Sequence, residues 1–318
     1  MGLDATVGLA RSGDRRGNVF AALDRVRDSV EPKVRSQVML KPNFLSSEKQ
    51  LASTHVDAVR GAIDFLLSTP RPPEEIVVAE GANESYSGEA FDNFGYRSLE
   101  REYPVAIRLV DLNQETRWRE TSVVTAAGRL VPVRMPLTVL ECPCIISVAV
   151  AKTHDCCVVT LAQKNLIMGT LKKEDRIAIH GFESHAEREL PLEAQRVTVN
   201  LTRVSRHLRA DVGVIDGTVG MQGNGPGGGF ELDLGIAVAS GDVFAADAVM
   251  AGAMGFEPLE IGLLSYADAE GLGVADLRRI RGVGPPLDAV RTRFRAHDTV
   301  DLQLQWQDSR AEEFLAAR

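Results

Sequence analysis

Four short apolar runs rich in β-branched residues, each followed at once by polar side chains, constrain this chain more than any other feature. Gln37–Leu40 leads into Lys41 and Asn43, and Glu75–Ala79 into Glu80 and Asn83. Ile145–Val150 leads into Lys152 and His154, and Asp211–Ile215 into Asp216. Runs this short and this free of polar interruption are strands covered on both faces, because a strand with one wet face alternates. Ala106–Val110, ending in Asp111, and Leu234–Ala239 read as further strands. Between them, helical spacing of apolar residues predicts helices over Arg16–Val30, His55–Leu67, Val158–Met168, Leu192–Leu208 and Val243–Met254. Strands alternating with helices predict an α/β fold, a mainly parallel sheet covered by helices on both faces. In such sheets the ligand crevice lies beyond the carboxyl ends of the strands, which is where the polar residues fall. Thr121–Met135, turning at Ala127-Gly128, reads as a β-hairpin excursion from that pattern.

The chemistry concentrates after the third run. His154 follows the strand, Lys164 comes ten residues later inside the predicted helix, and His180 a further sixteen on, ending the apolar pair Ile177 and Ile179. Two imidazoles can exchange protons near neutral pH or ligate a transition metal, and a lysine can bind an anion or form a covalent adduct. His154, Lys164 and His180 are therefore the candidate catalytic residues, with His180 and His154 the candidate metal ligands. Lys41, Asn43, Glu80, Asn83, Lys152, Asn165 and Asp216 are candidate binding residues, predicted to converge on one cleft. His55, His185, His207 and His297 are expected to lie away from it.

Gly220–Gly229 holds six glycines and reads as neither strand nor helix; it is expected to form a loop over the cleft, with Asn224 and Gly225 touching a ligand. It lacks the Walker pattern and the G-x-G-x-x-G arrangement, so it carries no nucleotide signature. Asp247, inside a predicted helix, is either solvated or aimed at the site. Pro285-Pro286 marks a boundary, giving an α/β ligand-binding domain over residues 1–284 and a small C-terminal appendage over 285–318.

The formal charge of −8 argues against a nucleic-acid backbone as the partner, since phosphate binding needs an extended basic surface. No apolar run approaches the ~20 residues a spanning helix needs, so no membrane partner is expected and the expected location is the cytoplasm. A homo-oligomer is compatible with all of this. Cys142, Cys144, Cys156 and Cys157 fall within sixteen positions and match neither zinc-knuckle nor ferredoxin spacing; reduced, buried thiols are expected, and no iron–sulfur cluster.

From Val38 to Gly255 the chain resembles the family grouped as domain of unknown function 362. The likeness rests on Lys41-Pro42-Asn43, Lys152-Thr153-His154, the run Thr160 to Asn165 (TLAQKN), His180, Asp216-Gly217 with Gly223 to Pro226 (GNGP), and Asp242 with Ala246-Asp247. Some relatives append a ferredoxin-like segment whose cysteine pattern does not occur here. More distantly the chain is similar to the nickel-pincer lactate racemases, where His, Lys and His come in a similar order. That resemblance implies Lys164 as cofactor anchor, His180 as ligand and His154 as proton carrier. It departs where Ala162-Gln163 replace a glycine pair and where a second histidine pair is missing.

The leading expectation is an intracellular enzyme that binds a small anionic substrate, with a metal or organometallic cofactor and His/Lys chemistry. The alternative is a non-catalytic carrier closing the glycine-rich loop over a small molecule.

Overall fold

The computed structural model describes residues 4–11, 13–83 and 86–317. Its strands in chain order are β1 (Ala5–Ala10), β2 (Gln37–Lys41), β3 (Glu75–Glu80), β4 (Ala106–Asp111), β5 (Trp118–Val124) and β6 (Leu130–Pro136). They continue with β7 (Ile145–Thr153), β8 (Val159–Thr160), β9 (Val212–Gln222), β10 (Phe230–Ser240) and β11 (Ile280–Val283). Nine of them form one sheet in the order β11-β1-β10-β9-β7-β2-β3-β4, with β8 paired to β7, while β5 and β6 form the separate hairpin. The half built from β9, β7, β2, β3 and β4 is parallel; β10 and β8 run antiparallel to their neighbours.

Successive side chains of a strand point to opposite faces, and here the alternation divides the core in two. Val38 and Leu40 of β2, Ile146 and Val148 of β7, and Val212 and Val214 of β9 join one apolar cluster with the helices Arg15–Asp24 and Val56–Leu67. Met39, Ile145, Ala149, Ala151 and Ile215 join the other, with the helices Ala162–Met168, Leu192–Ser205 and Val243–Ala253. All nine residues of β7 are buried, the apolar run Ile145–Val150 interrupted only by Ser147 and followed by the buried polar residues Lys152 and Thr153.

Two expectations need correction. Val158 and Leu161 fit helical spacing, but Val159–Thr160 pair with Thr153 and Lys152, and the helix begins only at Ala162. A run of β-branched residues this short suits either period, and here the partner strand decides. The glycine-dense stretch is also partly strand: Gly220, Met221 and Gln222 pair with Leu232, Glu231 and Phe230, leaving residues 223–229 as the connection. Gly220 belongs in the ladder because a Cβ there would stand 2.8 Å from the Phe294 ring and 3.0 Å from the Ala151 carbonyl.

Residues beyond 285 pack back onto the main body. Val290 and Phe294 enter the larger core cluster, and Ala311, Phe314 and Leu315 cover Val124 and Val199.

Candidate functional site

β7 carries the chain out to Lys152 and Thr153, and residues 154–158 turn it back into β8. The His154 amide donates to the Val158 carbonyl at 2.9 Å, and the Cys156 amide donates to His154 Nδ1 at 3.2 Å. Closing the turn puts Val158 at φ 65°, a left-handed conformation that a β-branched side chain strongly resists. Neighbours hold it there: its amide donates to Gln303 Oε1 at 2.6 Å, and its side chain is buried. The helix that follows is pinned at its start by Asp247, which accepts from the Ala162 amide at 2.7 Å and the Gln163 amide at 3.1 Å. Burial pushes the Asp247 carboxyl up to about 7. The carboxylate left ambiguous by the sequence thus anchors the helix that presents Lys164.

Lys164 Nζ lies 2.8 Å from His154 Nε2. His180, at the end of the turn Arg176–Ile179, places Nδ1 2.6 Å from Glu193 Oε1 in the first turn of Leu192–Ser205. The Cys156 sulfur stands between the imidazoles, 3.4 Å from His154 Nδ1 and 3.6 Å from His180 Nδ1. Arg188 donates to Glu193 Oε1 at 2.6 Å and to Asp155 Oδ2 at 2.9 Å. Two overlapping donor groups result: His154, Cys156 and Cys157, and Cys156, His180 and Glu193, the donor atoms of each within 4.8 Å of one another. Burial pushes the Cys156 thiol up to about 12. Burial and the Lys164 charge oppose protonation of His154, yet Cys156 and then Asp155 beside it keep it above its ordinary range. Burial opposes charge on His180 as well, and the hydrogen bond to Glu193 helps to raise it.

The opposite wall rests on a buried ion pair. Lys41 donates to Glu80 and, at 3.0 Å, to Asn165 Oδ1; Asn165 Nδ2 in turn donates to the Lys41 carbonyl and to Ser147. Burial pushes Glu80 up to about 7 and lowers Lys41. Arg176 is spread over the carbonyls of Leu171 and Gly81 and the Asn113 amide oxygen, and burial lowers it to about 10. Lys152 donates to Asn43 Oδ1 at 2.5 Å and to the Ala52 carbonyl at 2.8 Å.

These walls enclose a cavity of about 440 Å³. Among the expected site residues, Asn43, Glu80, Asn83, Lys152, His154, Lys164, Asn165 and His180 line it, and Lys41 sits behind Glu80. The others stand elsewhere. Asp216 pairs with Arg15 at 2.5 Å, Asn224 bonds Asp298 at 2.9 Å, and Gly225 packs on Thr153, where a Cβ would come within 2.2 Å of the carbonyl oxygen. Pro226 is the glycine-rich connection's contribution to the lining. His185, expected away from the cleft, lines it as well, together with Glu183, Ser184 and Arg188 of the segment 181–191. His55 caps Val56–Leu67 by accepting from the Asp57 amide. Sequence reasoning missed Arg176 and Arg188, which come from segments without periodic pattern, and Glu193, which lies in the predicted helix Leu192–Leu208 but is not among its apolar residues; the one visible signal was Cys156-Cys157, two residues after His154.

Among the described residues, the lining carries five Lys or Arg (Lys152, Lys164, Lys173, Arg176, Arg188) against three Asp or Glu (Glu80, Asp155, Glu183), and Glu80 is already paired to Lys41 from behind. The cavity therefore favours an anion. Its volume falls in the range of small-molecule sites, about 300–1,000 Å³.

Among the described residues, no helix is long and apolar enough to cross a membrane. No match is found among curated proteins. Among solved structures, the chain is similar to the lactate racemase apoprotein from Thermoanaerobacterium thermosaccharolyticum, at 9% identity and a TM-score of 0.44, over 68% of this chain and 50% of that one. The chain thus spans about half the length of that structure. The model of the family described as domain of unknown function (DUF362) matches residues 38–252, more than half of the chain, and the protein belongs to that family.

Proposed function

We propose that this protein is a cytoplasmic enzyme that binds a small organic anion in the cavity and transfers a proton to or from it. The observation that carries the reading is the meeting of His154, Lys164 and His180 at one cavity whose charged lining, among the described residues, is more basic than acidic. Lys152, held by Asn43, and Arg176, held by backbone carbonyls, attract the substrate's anionic group; both are buried, so their charges act with little solvent screening. Asn83 in the lining offers a hydrogen bond that orients it, while Asn165, its amide hydrogens taken by the Lys41 carbonyl and Ser147, holds the wall in place. His154 moves the proton: Lys164 stands against Nε2 at 2.8 Å and the Asp155 carboxylate lies 2.8 Å from Nδ1, so the ring is already oriented when substrate arrives.

The donor chemistry around His180 suits a transition metal, since imidazole and thiol are the ligands that borderline and soft cations prefer. A metal or organometallic group there would polarise a substrate oxygen as a Lewis acid. Lys164 would anchor the organic part of such a group.

Native mass spectrometry and elemental analysis of the purified protein test the reading together. A bound organic anion is expected, with affinity reduced in Lys164→Ala and Arg176→Gln. His154→Asn should keep the ligand and lose turnover. The reading fails if no small anion binds, or if alanine at both His154 and His180 changes neither affinity nor turnover.

A further inference from the structure

We propose that Cys156, His180 and Glu193 form a binding site for one divalent transition-metal ion, with the cysteine as a thiolate ligand. The inference rests on the cavity reading above only for the face from which a substrate would approach. Metal–nitrogen and metal–sulfur bonds of about 2.0 and 2.3 Å set the donors of a tetrahedral site roughly 3.3–3.8 Å apart. The Cys156 sulfur stands 3.6 Å from His180 Nδ1, and all three donor atoms lie within 4.8 Å of one another. His180 and Glu193 meet at 2.6 Å, the length of a hydrogen bond, so a proton lies between two groups that could share a cation. Exchanging that proton for the ion asks Glu193 to withdraw by less than about 1 Å.

Three further features fit a metal and have no role in packing. A buried cysteine that served only as a small hydrophobe would not need two imidazole nitrogens against its sulfur, yet His154 and His180 both approach it. Charge balances: a thiolate and a carboxylate offset a divalent ion, while Arg188 is matched by Asp155 at 2.9 Å. The ligands are held from outside, because Arg188 orients Glu193 and the 154–158 turn fixes Cys156, at the cost of a left-handed Val158. On binding, the Cys156 S–H proton and the His180 Nδ1 proton leave to solvent, and nothing is oxidised or reduced. His180 lines the cavity whereas Cys156 and Glu193 do not, so the site would adjoin the cavity through the His180 ring.

Cobalt(II) is the probe. Full-length protein stripped with a chelator and titrated with cobalt(II) should bind one equivalent and develop a near-ultraviolet sulfur-to-cobalt charge-transfer band. Cys156→Ser should lose the band, with Cys157→Ser and Cys142→Ser retaining it, and Glu193→Gln should weaken affinity by at least about tenfold. X-ray absorption on the wild-type cobalt protein gives a readout that does not depend on any variant folding, and one sulfur in the first shell is expected. No stoichiometric binding, a first shell with no sulfur or two, unchanged affinity in Glu193→Gln, or loss of the band in Cys157→Ser would overturn the assignment. Glycolate titrated into the stripped protein separates the two readings: anion binding without cobalt binding sinks the metal site alone, and cobalt binding without anion binding sinks the substrate reading alone.

Discussion

Lys41 and Glu80 are both buried and paired, and such pairs return little net stability, because desolvation offsets most of their attraction. Their use is to set charge beneath the cavity floor. Lys41→Met should therefore cost about 3–5 kcal/mol by stranding Glu80, whereas Lys41→Met with Glu80→Leu should fold about as stably as wild type. Denaturant unfolding of the three proteins measures this, and a single substitution costing under about 1 kcal/mol would contradict it. Asp247 makes a pH prediction. Its folded pKa of about 7 lies above the ordinary carboxyl value near 4, so the folded state holds its proton more tightly than the unfolded state. That contribution to stability is present in acid and is lost as pH rises from about 4 towards 7, at up to about 1.4 kcal/mol per pH unit. Asp247→Asn should remove this slope and leave a constant offset from the lost acceptor. Parallel stability curves for the two proteins between pH 5 and 8 would refute the assignment.

At the scale of elements, the 154–158 turn is where the chain spends conformational energy. Gln303→Leu should leave the Val158 amide buried without a partner and cost about 1–3 kcal/mol. The loss should show as faster hydrogen exchange at Val158 and its neighbours; exchange confined to residues near 303 would argue against a shared unit. The same turn shows what a sequence can disclose. Ile145–Val150 was legible because five of its six residues are apolar and all are buried, leaving only Ser147 to interrupt the run. β8 was not, since Val158, Val159 and Leu161 satisfy two periods at once and only pairing with Lys152 and Thr153 settles which. β1 escaped notice too: within Ala5–Ala10 only Val7 and Leu9 alternate, and its place between β11 and β10 depends on residues more than two hundred positions away. Within the site, His154 was legible because it follows a buried strand, Lys164 because it is a charge inside a buried helix, and His180 because it ends the apolar pair Ile177 and Ile179. Glu193 and Arg188 were not, because an ordinary ion pair on a helix and one that reaches a buried imidazole have the same sequence.

For the whole molecule, the segment beyond residue 285 decides how far the chain can be shortened. Phe294, Phe314 and Leu315 bury apolar surface on the main body, and Arg196 and Arg203 of Leu192–Ser205 bond back to Asp308 and to the carbonyls of Phe314 and Ala317. Ending the chain at residue 284 should lower the melting temperature by well over 10 °C and broaden the transition, as scanning calorimetry would show. An unchanged melting temperature would make the segment a separate appendage.

The Val158–Gln303 bond also sets a clock. Its partners are 145 residues apart, and at 5–20 residues per second a ribosome needs roughly 7–30 s to make the second after the first. Through that interval the nascent turn has no clamp, and two adjacent thiols emerge with the sheet around them unfinished. A cell that makes this protein must keep those thiols reduced until translation has caught up with them.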